Sequence, residues 1–558
     1  MFRIKSTLLL FTLSSSCLLS NSSETQSYIQ KIEEENNISY EKIINTRGAY
    51  ITSMCYTKTK DTLTNKIFNP CYSCHTKGNI PNYFNDTNLQ KEYNFPRSVI
   101  KNPFINLFKD RTAQVALMDD KFILDYVRSS NYFTSTRDIL LDQTLPQTWK
   151  GYRPDCYFDF DDEGFDKDGE GSYTGWRAFR YYPFLGTFWP TNGSTDDVLI
   201  RLDTFFTQDE NNTFDKEVYK LNLSIVEALV KQKEIALDPG IDETFYGVDL
   251  NHNDIVDRAI TVSPMIKSYV GLAKRYLSEK KVHLAAGLFP ENTEFLHSVR
   301  YLDWDDKKDQ IALSSRMKEL RYAKKTTWKS YGEIQRAAQS ELWESQALDS
   351  REAQISLFRG NYEEGLNNNI GWVYQGFIED REGKLRPQTH EETIACMGCH
   401  SHLGVTSDST FAFVRKFEGT HKDQKEYGWN HWSQKGLKGI KEPRVAYQDH
   451  GIQYEYSFYL HNNHSGNEFR NNDEVRGKFF DDNGSVKQEL IDTLHDDVTE
   501  LLFPSKARAL DLNKRYKVIV EEQSYIYGRD ANVKEMENVY RDVSEGSTTG
   551  IKKPIVKP

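Results

Sequence analysis

The sequence predicts a mainly α-helical protein with long irregular connections, divided into several lobes. Three observations carry that expectation. Within residues 214–237, Val218, Leu221, Ile225, Leu229 and Val230 recur at helical spacing. Across 305–349, a charged stretch keeps Met317, Leu320, Trp328, Tyr331, Ile334, Ala338 and Leu342 on one helical stripe. Between such stretches run acidic, Gly-rich and aromatic loops, a pattern unlike that of a sandwich or a doubly wound sheet.

Taken in order, the first residues read as an export signal. Arg3 and Lys5 precede an apolar run from Leu8 to Leu19, which Ser14, Ser15 and Ser16 interrupt. The run is too short and too polar for a membrane span, and residues 1–22 are expected to be removed after Ser22. The rival reading is a lipid anchor on Cys17, although Ser14 stands where that motif wants Leu. No later stretch is apolar enough to cross a bilayer, so the mature chain is expected in the periplasm. The expected divisions are a first lobe at 23–150, an aromatic and acidic-loop region at 151–304, a long helix and second lobe at 305–543, and a disordered tail at 544–558. Helical patterns also mark 498–512 and 516–525.

Lys plus Arg total 71 against 82 Asp plus Glu, a net charge of −11 without a basic stripe. That balance argues against nucleic acid or anionic lipid as a partner. Of the seven cysteines, Cys17 lies in the signal, four belong to two C-x-x-C-H motifs, and Cys55 and Cys156 remain. An exported compartment favours a disulfide between those two, against the alternative of two buried thiols.

The motifs are Cys71/Cys74/His75 and Cys396/Cys399/His400. Thioether attachment of haem needs two thiols and one imidazole on one surface, and i, i+3, i+4 spacing supplies that on a helix. Thr389 and Glu392 fit a capping box ahead of the second motif. At the first, Asn69 is placed to cap and Pro70 to open the turn. The competing assignment is a four-thiolate zinc site. The pairs stand 325 residues apart, where zinc ribbons are compact, and each is followed by His. Two c-type haems are therefore expected, with His75 and His400 as proximal iron ligands.

At these motifs the chain resembles c-type cytochromes, and its organisation is similar to large exported dihaem proteins. That group includes dihaem peroxidases, their MauG-type relatives and dihaem rubber oxygenases. The resemblance covers about a dozen residues. Over its length the chain looks more like uncharacterised large periplasmic cytochromes, a likeness that implies a cofactor and no particular reaction.

The sixth position on each iron separates electron transfer from catalysis. His283 and His297 stand out as distal candidates within the apolar stretch 282–297, and Met54, Met118, Met265 and Met317 are the thioether alternatives. Arg177 and Arg180, inside an aromatic block, are candidates for pairing with propionates. Asp249, Asn251, Asn253 and Asp257 alternate as an oxygen-ligand loop for Ca2+, with Asp254 in place of the usual Gly. Asp159, Asp161, Glu163, Asp166 and Asp168 form a second acidic cluster. The function expected is haem binding and electron transfer with a periplasmic redox partner protein. The alternative is a dihaem oxidoreductase with one open iron that acts on a small-molecule oxidant.

Overall fold

In the computed structural model, residues 15–36, 38, 51–62, 64–95, 99–346, 358–401, 403–418, 428–463, 472–544 and 546–556 are described. The architecture is mixed α/β, 30% helix and 21% strand, and corrects the mainly helical expectation. Its centre is a nine-stranded antiparallel sheet, not a set of helical lobes. The sheet strands are β1 (Phe165–Lys167), β2 (Tyr173–Phe179), β3 (Thr195–Arg201), β6 (Glu294–Asp305), β7 (Gln310–Lys325), β8 (Arg359–Asn361), β9 (Gly365–Asn367), β10 (Trp372–Glu379) and β11 (Leu385–Pro387). Their order is β1-β2-β3-β6-β7-β10-β9-β8, with β11 paired to β10. Strands β4 (Ile235–Asp242) and β5 (Arg258–Val262) form one hairpin, and β12 (Arg444–Tyr447) and β13 (Gly451–Tyr454) another.

The stretch 305–349 shows why sequence periodicity misled. Its first part is not a helix but β7, paired with β6 on one side and β10 on the other. A central strand normally reads as alternating or continuous apolar residues. Here the pattern is masked by charged residues that are buried because each has a partner. Arg316 bonds Glu379 at 2.7 Å, Lys325 bonds Asp408 at 2.6 Å, and Glu319 receives Arg321 at 3.0 Å and Arg529 at 2.8 Å. A helix follows only at Tyr331–Gln346.

Both sheet faces are covered, as the period of two requires. One face carries Phe179, Val198, Ile200, Phe295, Ala323, Trp372 and Tyr374 into the largest core cluster. The helix Lys216–Lys231 packs there, opened by Asp215, whose carboxylate accepts from the Glu217 and Val218 N–H groups. The opposite face carries Trp176, Leu199, Leu296, Leu320, Tyr322 and Phe377 against residues 132–156. Tyr152 stacks on Tyr322 there at 4.0 Å. Full burial of each such side chain contributes about 1.5–3 kcal/mol.

The C-terminal helical patterns merge into one long helix, Lys506–Glu522, capped by Ser505, with a short turn at Thr499–Leu502 before it. The segment expected to be unstructured lies along the first lobe, where Thr549 donates to the Gln90 carbonyl at 2.9 Å and the Ile555 N–H reaches the Gln90 side chain at 2.8 Å. Among the described residues, no helix is long and apolar enough to cross a membrane. The expected signal charges Arg3 and Lys5 lie outside the described residues.

Candidate functional site

The two C-x-x-C-H motifs fold into matching turns. In the first, the His75 N–H donates to the Cys71 carbonyl at 2.9 Å and the Cys74 N–H to the same carbonyl at 3.2 Å. In the second, the His400 N–H donates to the Cys396 carbonyl at 3.0 Å and the Cys399 N–H at 3.1 Å. Each turn places two thiols and one imidazole on a common side.

Different surroundings hold them. Ahead of the second motif, the helix His390–Ile394 opens with the expected capping box: the Thr389 hydroxyl accepts from the Glu392 N–H, and Glu392 reaches back to the Thr389 N–H. Glu392 is also gripped at 2.8 and 2.9 Å by both terminal nitrogens of the buried Arg386. At the first motif Asn69 does not cap; its amide donates to Gln90 instead, and Pro70 stands at the cap position. Gln90 in turn donates to the His75 carbonyl at 2.7 Å.

Both imidazoles are fixed through Nδ1, which orients Nε2 for a metal. His75 Nδ1 is 2.7 Å from an Asp86 carboxylate oxygen, and His400 Nδ1 is 2.8 Å from the Ser409 carbonyl. That carbonyl is presented by a turn in which Asp408 and Ser409 both have left-handed backbone, φ 47° and 60°. Such residues cost about 1–2 kcal/mol each. Bonds from Lys325 and the Phe289 N–H to Asp408 hold the turn in place. The two rings differ electrostatically. Burial opposes charge on His75, but hydrogen bonds to Asp86 and Cys55 outweigh it and push the imidazole up to about 10. Burial, with Arg321 and His297 nearby, pushes His400 down to about 4.

The motifs, 325 residues apart in the chain, lie side by side. The Asn82 amide donates to the carbonyls of Leu403 and Gly404, just past the second motif. A Cβ at Gly404 would run into the Thr76 carbonyl, just past the first. Burial raises the Cys74 thiol, and the neighbouring Cys399 and Cys55 raise it further. This juxtaposition, with the Nδ1 partners, fits two covalently held haems. It also removes the spatial objection to a shared site, but the thiols do not gather into a metal cluster. Among the described residues, the one close group of ligand-type atoms is Asp249, His252 and Asp254.

The sheet face beneath the second motif is polar where it crosses His297 and Arg321, which pair across β6 and β7. Tyr374 packs on the His400 ring at 4.6 Å. His297 Nε2 is 3.0 Å from Asp196, which also accepts from the Tyr181 hydroxyl. His297 thus stands near His400 with its outer nitrogen occupied by a carboxylate. His283, the other distal candidate, is exposed and stacks on Trp328 at 4.1 Å.

The remaining candidates are placed as follows. Cys55 and Cys156 do not pair. Cys55 lies against His75, whereas Cys156 is buried under the other sheet face beside Asp166 and Tyr132. Arg177 is sandwiched between Phe165 and Trp429, at 4.4 and 4.0 Å, and its Nε donates to the Glu163 carbonyl. Arg180 lies over Trp432 at 4.0 Å beside Asp197. In the expected calcium loop, the Asp249, Asn251 and Asn253 oxygens accept backbone N–H groups of the loop, and the Asp257 N–H turns to Glu243. In the second acidic cluster, Asp161 and Glu163 pair with Lys216 and Lys220.

Asp86, Ser409, Asp196, Arg321 and Asn82 were not legible as site residues. Asp86 follows His75 by eleven positions, a spacing no motif specifies. Asp196 and Arg321 are brought in by strand register, Ser409 by the 408–409 turn, and Asn82 by its bonds to the Leu403 and Gly404 carbonyls.

Residues 42–496 match a family described as “-like lipoprotein”. An uncharacterized lipoprotein of Aquifex aeolicus (strain VF5) is 31% identical over 531 residues, covering 85% of this chain and 84% of the relative. No solved structure matches. The resemblance to dihaem peroxidases, rubber oxygenases and large periplasmic cytochromes is thereby overturned: a dozen motif residues suggested it, and the likeness that spans the chain is to lipoproteins.

Proposed function

Because the chain belongs to this lipoprotein family, we propose that it is an exported, lipid-anchored electron-transfer protein with two covalently bound haems. Cys17 is the anchor in this reading, and Ser14 in its motif is a tolerated departure. A tethered chain replaces the freely diffusing periplasmic protein expected from a cleavage after Ser22. The redox partner is then a protein or small oxidant reached from the membrane surface.

The observation that carries the haem reading is the pair of matching turns, side by side, with each imidazole held through Nδ1. Haem at these motifs would supply a one-electron couple at each iron. The chain's own groups do the rest. Cys71, Cys74, Cys396 and Cys399 anchor the macrocycles, and Asp86 and the Ser409 carbonyl orient His75 and His400. Apposition of the turns would hold two such groups next to each other.

The test is maturation of the full chain in a host with c-type haem attachment, followed by the reduced-minus-oxidised spectrum and intact mass. Two haems are expected, with one lost in Cys71→Ser/Cys74→Ser and the other in Cys396→Ser/Cys399→Ser. Zinc in place of haem would overturn the reading. Cys17→Ser should release the protein from the detergent phase into the aqueous phase.

A second reading is favoured by His297, Asp196 and Arg321 beside His400. With Nε2 bonded to Asp196, His297 is arranged to move a proton rather than to ligate iron. One iron would then be open to a small-molecule oxidant. Carbon monoxide binding to the reduced protein selects this reading, and two low-spin centres that ignore the gas select the carrier.

A further inference from the structure

We propose that Ser433, His431 and Asp197 act outside the two motifs as nucleophile, general base and orienting carboxylate for acyl transfer. Ser433 Oγ is 3.0 Å from His431 Nδ1, and His431 Nε2 stands 2.7 Å from an Asp197 carboxylate oxygen. The backbone assigns the tautomer. The Ser433 N–H can only donate, and it reaches Nδ1 at 3.2 Å. Nδ1 therefore carries the lone pair and Nε2 the hydrogen, beside the carboxylate. This leaves the Ser433 hydroxyl as a donor toward the ring, the arrangement a base-activated nucleophile requires. Ser433 is exposed, whereas His431 and Asp197 are buried. The attacking atom meets solvent while the groups that activate it are held inside.

Separate segments fix the row. Asp197 lies on β3, and the residue between His431 and Ser433 is pinned to that strand. The Trp432 backbone N–H reaches Asp197 at 3.4 Å, and its indole N–H donates to the Asp196 carbonyl at 2.7 Å. Phe160 stacks on the imidazole at 4.4 Å, and the Gln434 side chain accepts from the His431 N–H at 2.7 Å. Arg180 and Arg300 stand 3.6 and 3.8 Å from Asp197 and favour its charged form. Burial, with the same two arginines, outweighs Asp197 and holds the imidazole below its ordinary 6.5, so the ring is a free base at neutral pH. On an activated ester, Ser433 Oγ bonds to the acyl carbon as its proton passes to Nδ1. The C–O bond to the alcohol then breaks, and the leaving oxygen takes that proton. Water, giving a proton to the same ring, releases the acid and restores the serine. Because Ser433 stands at the surface, the acyl groups it suits are small.

The test uses the full chain with two probes, p-nitrophenyl acetate and a fluorophosphonate. Each should leave one adduct on the peptide that carries Ser433, read by mass. Burst release of nitrophenol should fall about 100-fold or more in Ser433→Ala, the least that a positioned base contributes. The acylation rate should be level at pH 7 and fall to half below pH 6.5. Asp197→Asn should move that midpoint lower still, since the carboxylate favours charge on the ring; a structural role alone would not move it. Ser433→Cys, at an exposed position that keeps the fold, gives a second readout if Asp197→Asn does not accumulate. Its alkylation by iodoacetamide, followed on the same peptide, should reach half its maximum well below the value of about 8.5 usual for a thiol. No adduct at Ser433, or nitrophenol release unchanged in Ser433→Ala, would overturn the proposal. So would a Ser433→Cys thiol that titrates at about 8.5, the behaviour of a side chain that merely caps a turn.

Discussion

The backbone of Gly404 lies directly against the carbonyl of Thr76, and this contact joins the ends of two motifs that the chain separates by more than three hundred residues. The clash a Cβ would make is with main chain and with Asp86, neither of which can swing aside. Gly404→Ala is therefore expected to cost about 1–3 kcal/mol, as overpacking does. It should also disturb Asp86 and through it His75. Denaturant unfolding measures the first effect; in the proposed haem-loaded form, a change in the absorption of one haem and not the other measures the second.

Asp86 makes the His75 imidazole a stronger donor. Changes to such partners alter metal affinity about 10–100-fold. In the proposed dihaem form, if that change falls on the ferric state, Asp86→Asn raises the potential of one centre by about 60–120 mV. Spectroelectrochemical titration should show one midpoint moving and the other fixed.

Arg386 and Glu392 form a fully buried bidentate pair ahead of the second motif. Removing one partner leaves an uncompensated charge, which costs about 3–5 kcal/mol. Arg386→Met should lower stability by that amount, and Thr389→Ala, which removes only the cap, by about 1 kcal/mol. Comparison of the two unfolding midpoints separates pair from cap.

Asp166 gives a pH dependence away from the motifs. Burial pushes its carboxyl from 3.8 up to about 6, against hydrogen bonds from the Tyr157 and Asp159 N–H groups and Thr174. Between those values the folded chain keeps a proton that the unfolded chain has lost. Stability from this group therefore falls as pH rises through the window, by about 3 kcal/mol in all, and is level above it. Asp166→Asn should flatten the slope between pH 4 and 6 by about one proton. An unchanged slope would show that the carboxyl ionises normally.

The sequence carried the local turns around the motifs and missed the scaffold, for physical reasons visible at particular residues. The capping box at Thr389 and Glu392 was readable because its partners are three residues apart. The helix Lys216–Lys231 was readable because its apolar positions keep one period. β7 was not, because Arg316, Glu319 and Lys325 occupy buried positions that only distant partners make tolerable. For the same reason the Cys55–Cys156 pairing failed: the sheet lies between the two sulfurs, and spacing says nothing of which face a cysteine occupies.

Gln90 links the first motif to the far end of the chain: it is fully buried, bonded to His75 on one side and to Thr549 and Ile555 on the other. A chain that emerges from its export channel amino end first displays Cys71 and Cys74 long before Thr549 arrives. During that interval the first motif lacks its cover, whereas the second emerges with much less chain still to follow. Assembly thus has a built-in closing step, in which a late segment to cross covers the earlier motif.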